Sequence, residues 1–488
     1  MQPLHPTTVA LARAARPWRY SRPALRPGIV HLGVGAFHRA HQAVYTDLAL
    51  EQAFGPWGIC GVSLRRPEVR DRLAPQDGVY TVAERDGAGQ RLQVVGCLRR
   101  LLVAPEDPAA VVAQIASPAT TIVSLTVTEK GYCHDPASGR LDWAHPDIMH
   151  DLAEPERPRS ALGLLVAGLE RRRSEHSPPP TVMSCDNLPA NGRTLRGLVI
   201  ALAARRDEAL ARWIDAEVGF PCSMVDRIVP AVTAADIARI GQALGLHDAA
   251  PVICEPFRQW VIENRFAGPR PAWELAGAQL VADVAPYEEM KLRLLNGSHS
   301  AIAYLGWLAG FEHVCEVMSE PDFVAFVQRM MAEIAPTLRV PDDLDAYQAT
   351  LIARFANPAL AHRTRQIAMD GSQKLPQRLL GPIRDRLRAG AAIDHLCLAV
   401  AGWIRYAAGR DEQGRAIEVA DPLAGRFAAI SAGADGDPEA LARGFLELGE
   451  VFGADLPREE RFTTAVSSWV ASLMTRGARA TIAQCVRS

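Results

Sequence analysis

One pattern dominates the first half of the chain: short apolar runs dense in β-branched residues, each followed by a longer stretch with helical spacing. The runs fall at residues 29–32, 58–64, 120–127 and 180–185. They lack the in–out alternation of a sheet that faces water, so they read as strands covered on both faces. Helical spacing fills residues 37–52, 161–173 and 194–218. Strands alternating with helices give an α/β fold with a parallel sheet. Beyond about Pro286 helical periodicity takes over, at 288–311, 325–334, 344–355 and 393–408. Two domains are therefore expected: 1–286, with the sheet and a lead-in segment, and 287–488, mainly α-helical. Residues 431–436 read as a loop.

Charge and cysteine usage narrow the function. Lys plus Arg number 53 and Asp plus Glu 55, a formal charge of −2. Proteins that bind nucleic acid or anionic membranes usually carry a basic excess, so neither partner is expected. No apolar run reaches the ~18–20 residues of a membrane span. The nine cysteines are scattered, with no CxxC pair. That fits neither zinc nor a disulfide framework and favours a reducing, cytoplasmic location with no metal. Before Asp47 the chain has five arginines up to Arg26, then Arg39, and no acid. Such a start resembles a transit peptide, but Pro17, Pro23 and Pro27 would break its helix, so it reads as a lead-in packed on the first domain.

Gly33-Val34-Gly35 follows the first apolar run and opens a helix. In a nucleotide-binding turn the first glycine allows the bend and the second lets the backbone approach a pyrophosphate. The third glycine of that pattern is replaced by His38. Alone, GxGxxH fits a plain structural turn as well as a cofactor site. Gly33, Gly35, Phe37, His38, Arg39 and Thr126 are the candidate cofactor contacts. Glu68 is the first acid after the second run and suits a ribose 2′-hydroxyl, hence NAD. Arg65 and Arg66 suit a 2′-phosphate, which leaves NADP as the alternative.

The densest polar constellation spans residues 287–299 and contains Glu288, Lys291, Asn296 and His299. Oxidation of an alcohol to a ketone needs a base for the hydroxyl proton and donors for the developing alkoxide. A desolvated lysine can be the base, and asparagine amides can be the donors. At ~100° per residue Lys291 and Asn296 lie about 140° apart, and His299 about 80° from Lys291. A regular helix thus separates them, and only the long lysine stem or a distortion near Asn296 would bring them together. A second cluster, residues 184–192, follows a buried strand and offers Asn187 as another amide donor, or else an Asx-type turn.

The runs 29–41, 124–132, 182–187, 224–230, 255–261 and 291–299 together resemble the polyol-specific long-chain dehydrogenases, over about residues 28–485. The resemblance implies a metal-independent, NAD(P)-dependent oxidoreductase with a Rossmann-like N-terminal domain and a helical C-terminal domain. It implies Lys291 as general base, Asn187 and Asn296 as the oxyanion hole, and His299 as the residue that orients substrate. Asp226 and Lys374 match substrate-site positions. Glu288, about one turn before Lys291, is a candidate proton relay. Residues 362–378 and Lys130 look most like the fructuronate reductase branch, whereas residues 187–192 are equally at home in mannitol dehydrogenases. Lys130, Arg365 or Lys374 could hold a uronate carboxylate. The expected reaction is the reversible, NAD-dependent reduction of D-fructuronate to D-mannonate, with mannitol 2-dehydrogenase or another polyol dehydrogenase as the alternative. The expected partner is a small sugar acid or polyol, and the expected state a monomer or small homo-oligomer. A non-catalytic NAD-binding protein has no use for Lys291 beside two asparagines.

Overall fold

The four apolar runs fold into the strands β1 (Pro27–Leu32), β2 (Gly58–Ser63), β4 (Ile122–Leu125) and β5 (Thr181–Ser184), and a fifth strand that no run marked, β3 (Leu98–Val103), joins them. They bond in the order β3-β2-β1-β4-β5, every pairing parallel. Successive side chains of a strand point to opposite faces, and here both faces are covered. Val30, Leu32, Val62, Val123 and Leu125 pack with the helices Ala161–Ser174 and Asn191–Arg206. Ile29, Ile59, Ile122 and Met183 pack on the other side with Val44, Tyr45, Trp260 and Trp273. The strand order reverses at β1, between β2 and β4, and such switch points open a crevice at the carboxyl ends of the strands.

This computed structural model describes residues 1–135, 138–340, 343–360 and 362–487. The chain divides into two compact units, Met1–Ala285 and Pro286–Ser488. In the first unit the lead-in packs against the body: Leu4 is fully buried and Ala15–Arg16 pairs with the strand Gly89–Val95. Arg22 is buried, pairs with Asp77, and donates to the carbonyls of Gly96 and Leu98. Arg172 is buried too and donates to the carbonyls of Ile115, Ser117, Thr120 and Pro178, which ties the entry of β4 to the helix behind it. All nine cysteines are free, eight of them buried. Among the described residues no helix is long and apolar enough to cross a membrane.

Three helical expectations need correction. Residues 37–52 form two helices, Ala36–Ala40 and Gln42–Gln52. His41 breaks them apart at φ −120° and ψ −91°, with Nε2 against the Gln259 carbonyl and its ring against Trp260. Residues 194–218 are likewise split at Asp207, whose carboxylate caps the second helix at Ala209 N–H and pairs with Arg173. Residues 431–434 are the end of a helix, Ala424–Ala434, and not a loop.

The second unit is built around Gly297–Leu308, whose side chains are almost all buried. Asp394–Ala407, Pro321–Ile334 and the C-terminal stretch Glu460–Arg487 pack with it. That last stretch is two helices joined at Gly477, where φ is +78°. Trp403, Phe427, Phe445 and Phe452 form an aromatic cluster beside it.

Candidate active site

The glycine turn is made by backbone contact between the ends of β1 and β4. Gly33 has φ +99°, and a Cβ there would lie 2.1 Å from the Thr126 carbonyl oxygen. The Thr126 hydroxyl donates to the Gly33 carbonyl at 2.7 Å, and its amide donates to the Leu32 carbonyl. Gly35 precedes the helix Ala36–Ala40, and a Cβ on it would meet nothing nearer than the Gly33 carbonyl at 3.8 Å. Gly33 is thus required by the fold, whereas Gly35 leaves open a backbone cradle of the kind a phosphate group enters.

His38 and Arg39 turn the other way. The His38 ring is buried and stacks on His31 at 3.4 Å, and burial pushes it well below its ordinary pKa. His31 bridges the hydroxyls of Ser124 and Thr126 and is itself pushed down to about 3 by burial. Arg39 is buried over the Tyr80 ring and donates to the Ala250 carbonyl. Both residues are buried on a short helix and brace the turn, an arrangement that suits a fold role as well as a contact with the cofactor. Half-buried Phe37 stacks on His41.

A cavity of about 520 Å³ opens at the carboxyl ends of β2, β3 and β4, lined by Leu64, Arg65, Ala104, Pro105, Val127 and Lys130. Lys130, expected as a contact for a substrate carboxylate, lies in this sheet crevice. Glu68 does not line the cavity. It opens the helix Glu68–Leu73 and lines a smaller space of about 250 Å³ with Arg39 and Arg72. The charged group that follows β2 into the larger cavity is Arg65, while Glu68, expected at the ribose, lies at the smaller space beside Ala36 of the glycine-turn helix. Cys133, His145 and Asp147 bring donor atoms within 4.8 Å of one another beside this cavity, a grouping that cysteine spacing did not reveal. The thiol is pushed up to about 12 by burial and by Asp147 and Asp151, and His145 Nδ1 already accepts the Asp147 amide.

Beyond β5, Asn187 sits next to a residue that fixes the loop. The half-buried Asp186 carboxylate accepts the amides of Val127 and Thr128 and the Tyr132 hydroxyl, which joins the exits of β4 and β5. Asn191 donates to the carbonyls of Ser184, Asp186 and Ser223 and accepts the Ser223 amide. These two positioning residues were visible in the sequence only as turn formers. Asp226 is buried at the end of the strand Ser223–Asp226.

In the second unit the lysine stretch departs from a regular helix. Ala285–Met290 and Gly297–Leu308 are α-helical, but Lys291–Asn296 between them is π-helical, and the Gly297 amide reaches back to the Leu292 carbonyl. A ladder that bonds residues five apart stacks Asn296 one turn above Lys291, where α-spacing would have turned it away. His299 follows three α-helical residues later, about 60° from Asn296. The widened turn thus brings the three side chains toward one face, and Lys291 and His299 are both buried. Glu288 lies one turn before Lys291, while neighbouring Glu289 pairs with Arg293.

A second π stretch, Pro376–Leu380, packs on the first. Proline has no N–H to continue an α ladder, which accounts for this widening. Arg378 donates to the Asn296 carbonyl at 3.3 Å and to the Ser300 hydroxyl at 3.1 Å. A Cβ on Gly297 would stand 3.1 Å from the Arg378 carbonyl, so the close approach needs glycine. Arg378 is a supporting residue that its sequence context did not single out.

His299 is flanked by Phe355 at 4.5 Å and His362 at 5.4 Å. Burial pushes it well below its ordinary pKa, reinforced by His362, Arg354, Arg378 and Lys291. Lys374 donates to the carbonyls of Ile367 and Met369, closing the turn around it. Arg365, expected as a carboxylate ligand, pairs with Glu418 on an exposed surface.

Residues 27–275 match the mannitol dehydrogenase Rossmann domain, and residues 283–474 match the mannitol dehydrogenase C-terminal domain. The chain belongs to the mannitol dehydrogenase family. Within this family it is 49% identical to D-mannonate oxidoreductase of Escherichia coli (strain K12), over 96% of this chain and 97% of that protein. It is 42% identical to mannitol 2-dehydrogenase of Phaeosphaeria nodorum, over 95% of this chain and 82% of that one. Among solved structures it is similar to Pseudomonas fluorescens mannitol 2-dehydrogenase in its ternary complex with NAD and D-mannitol. The TM-score is 0.86 at 39% identity, with both chains covered completely. The mannitol dehydrogenase family consists here of oxidoreductases acting on sugar alcohols and sugar acids, and this chain is an oxidoreductase of that kind.

Proposed function

We propose that this protein catalyses the reversible, NAD-dependent reduction of D-fructuronate to D-mannonate. The observation that carries the chemistry is the π-helical turn that stacks Asn296 over Lys291 on the side of His299. The substrate rests on the 49% identity to D-mannonate oxidoreductase over nearly the full length of both chains.

The residues present fit a dinucleotide. Gly35 leaves a cradle that a Cβ would fill, Thr126 and Gly33 hold the turn behind it, and the cavity at the ends of β2 and β3 has the size and polarity for the adenosine end. When bound, the nicotinamide supplies the hydride in reduction and accepts it in oxidation. The chain supplies everything else. The amides of Asn187 and Asn296 donate to the substrate oxygen as negative charge develops on it, an effect worth about 10²–10³ in rate per donor. The Lys291 ammonium gives that oxygen its proton in reduction, and the amine takes it back in oxidation. Neutral His299 donates a hydrogen bond that orients the substrate. Asp226 and Lys374 are proposed substrate contacts.

Glu288 is proposed to return protons to Lys291 from solvent. Glu288→Gln is expected to flatten or shift the limb of the pH–rate profile that follows lysine protonation, and an unchanged profile excludes the relay.

A second cofactor reading, NADP(H), is favoured by Arg65, which lines the larger cavity where Glu68 does not. A second substrate reading is mannitol and fructose, after the Pseudomonas fluorescens neighbour. One assay compares fructuronate with fructose, each with NADH and NADPH. Fructuronate with NADH is expected to give the highest kcat/KM, with mannonate as product and no loss of rate in EDTA. An equal or higher kcat/KM on fructose would falsify the uronate assignment.

A further inference from the structure

His362 is set apart from every other group around His299. Its main chain is fixed, since its carbonyl accepts the Val314 amide at 3.0 Å. Its ring stands edge-on to His299, with centroids 5.4 Å apart. Yet neither ring nitrogen has a hydrogen-bond partner among the described residues, and Nδ1 is buried. Leaving a buried polar atom unpaired costs about 1–3 kcal/mol, and such atoms in a well-packed region usually have a partner that arrives from outside. Phe355 blocks the other side of His299 and offers nothing polar.

Cations dominate the charges that act on the His299 ring: Arg354, Arg378 and Lys291, with the Glu288 carboxylate one turn before Lys291. Burial holds His362 itself toward its neutral form. Two of Arg378's bonds go to neutral acceptors, the Asn296 carbonyl and the Ser300 hydroxyl. Of the other cations considered for a carboxylate, Lys130 lines the sheet crevice, Arg365 pairs with Glu418, and Lys374 donates to the carbonyls of Ile367 and Met369. An anionic ligand is favoured in such a field, and a neutral polyol gains nothing from it.

We infer that His362 is a specificity residue, whose ring N–H donates to the carboxylate of a sugar-acid substrate at the end remote from the reacting carbonyl. This rests on the lysine stretch being the site of carbonyl reduction, and it names the group that separates acid from neutral substrates. A site built to hydrogen-bond one substrate group rejects an analogue that lacks it, because the polar group of the protein is then left unpaired.

His362→Ala and His362→Gln test this against fructuronate and fructose. His362→Ala is expected to raise KM for fructuronate about 10- to 100-fold, the range of one hydrogen bond to a charged group. Its kcat is expected to stay within a few-fold, and KM for fructose to stay unchanged. His362→Gln, which keeps a donor, is expected to recover part of the loss. Calorimetric titration of the NADH-loaded protein gives a readout without turnover, since an alcohol beside a reduced nicotinamide has no hydride acceptor: mannonate is expected to bind more weakly to His362→Ala, and mannitol with equal affinity. Unchanged thermal unfolding and NADH binding identify a folded variant. If the wild-type enzyme reduces neither ketose, the functional reading fails and this inference with it. If it reduces fructuronate and His362→Ala keeps the wild-type KM, or shifts both substrates alike, only the role of His362 is overturned.

Discussion

Lys291→Ala is expected to lower kcat for ketone reduction by about 10²–10⁴, the usual contribution of a positioned general acid–base group. NADH affinity is expected to stay within a few-fold, because the glycine turn and the sheet crevice belong to the first unit and contain no part of this stretch. Alanine is the best helix former, so the variant keeps the backbone of the turn. KM for the ketose is expected to change little, since the lysine acts on a proton that moves only as the reaction proceeds. Stopped-flow reduction and NADH fluorescence titration measure the two quantities separately. A kcat loss below tenfold would assign the proton to another group.

Gly33→Ala is expected to have the other large effect, on folding and cofactor binding together. The new Cβ would stand 2.1 Å from the Thr126 carbonyl oxygen and 2.8 Å from its carbon, at a φ of +99° that L side chains rarely adopt. Neither contact can be relieved by rotating a side chain, because both partners are backbone. The turn must move, at a cost on the order of 3 kcal/mol, combining backbone strain with the clash. Thermal unfolding of the first unit should fall by several degrees and NADH binding weaken by about 100-fold or more. Gly35→Ala separates the two effects. Its Cβ meets nothing within 3.4 Å, so stability is expected to hold while NADH binding is lost. If Gly33→Ala binds NADH normally, the turn is not the cofactor cradle.

Four strands of the sheet were legible because burial on both faces leaves an unbroken apolar run, whereas the edge strand β3 is only partly buried and is interrupted by Arg99 and Arg100. The strands Tyr80–Asp86 and Gly89–Val95 carry no such mark: Glu84, Arg85, Gln90 and Arg91 interrupt them. The breaks at His41 and Asp207 were hidden for a different reason, since both depend on partners far along the chain, Gln259 and Arg173. The site divides in the same way. Lys291, Asn296 and His299 could be picked out by residue type, and the family resemblance named their roles. Their geometry could not be read from spacing, because the π-helical turn is supported by Arg378 and by the glycine contact at 297, some eighty residues apart. Residue type alone gave no position for Glu68, Lys130 and Arg365: in the fold Glu68 lines a small space with Arg39 and Arg72, Lys130 lines the sheet crevice, and Arg365 pairs with Glu418. His362 went unnoticed because a lone histidine carries no signal until its neighbours and its missing partner are seen.

The stacking of Asn296 over Lys291 implies that the two act on the same substrate oxygen, one on its charge and one on its proton. A double-mutant cycle with Lys291→Ala, Asn296→Ala and the double variant measures this directly, read as kcat/KM for fructuronate reduction. Groups that act as a unit show strongly non-additive losses, so the double variant should be about as slow as Lys291→Ala alone. Losses that multiply through, with the double variant slower by the product of the two single factors, would contradict it.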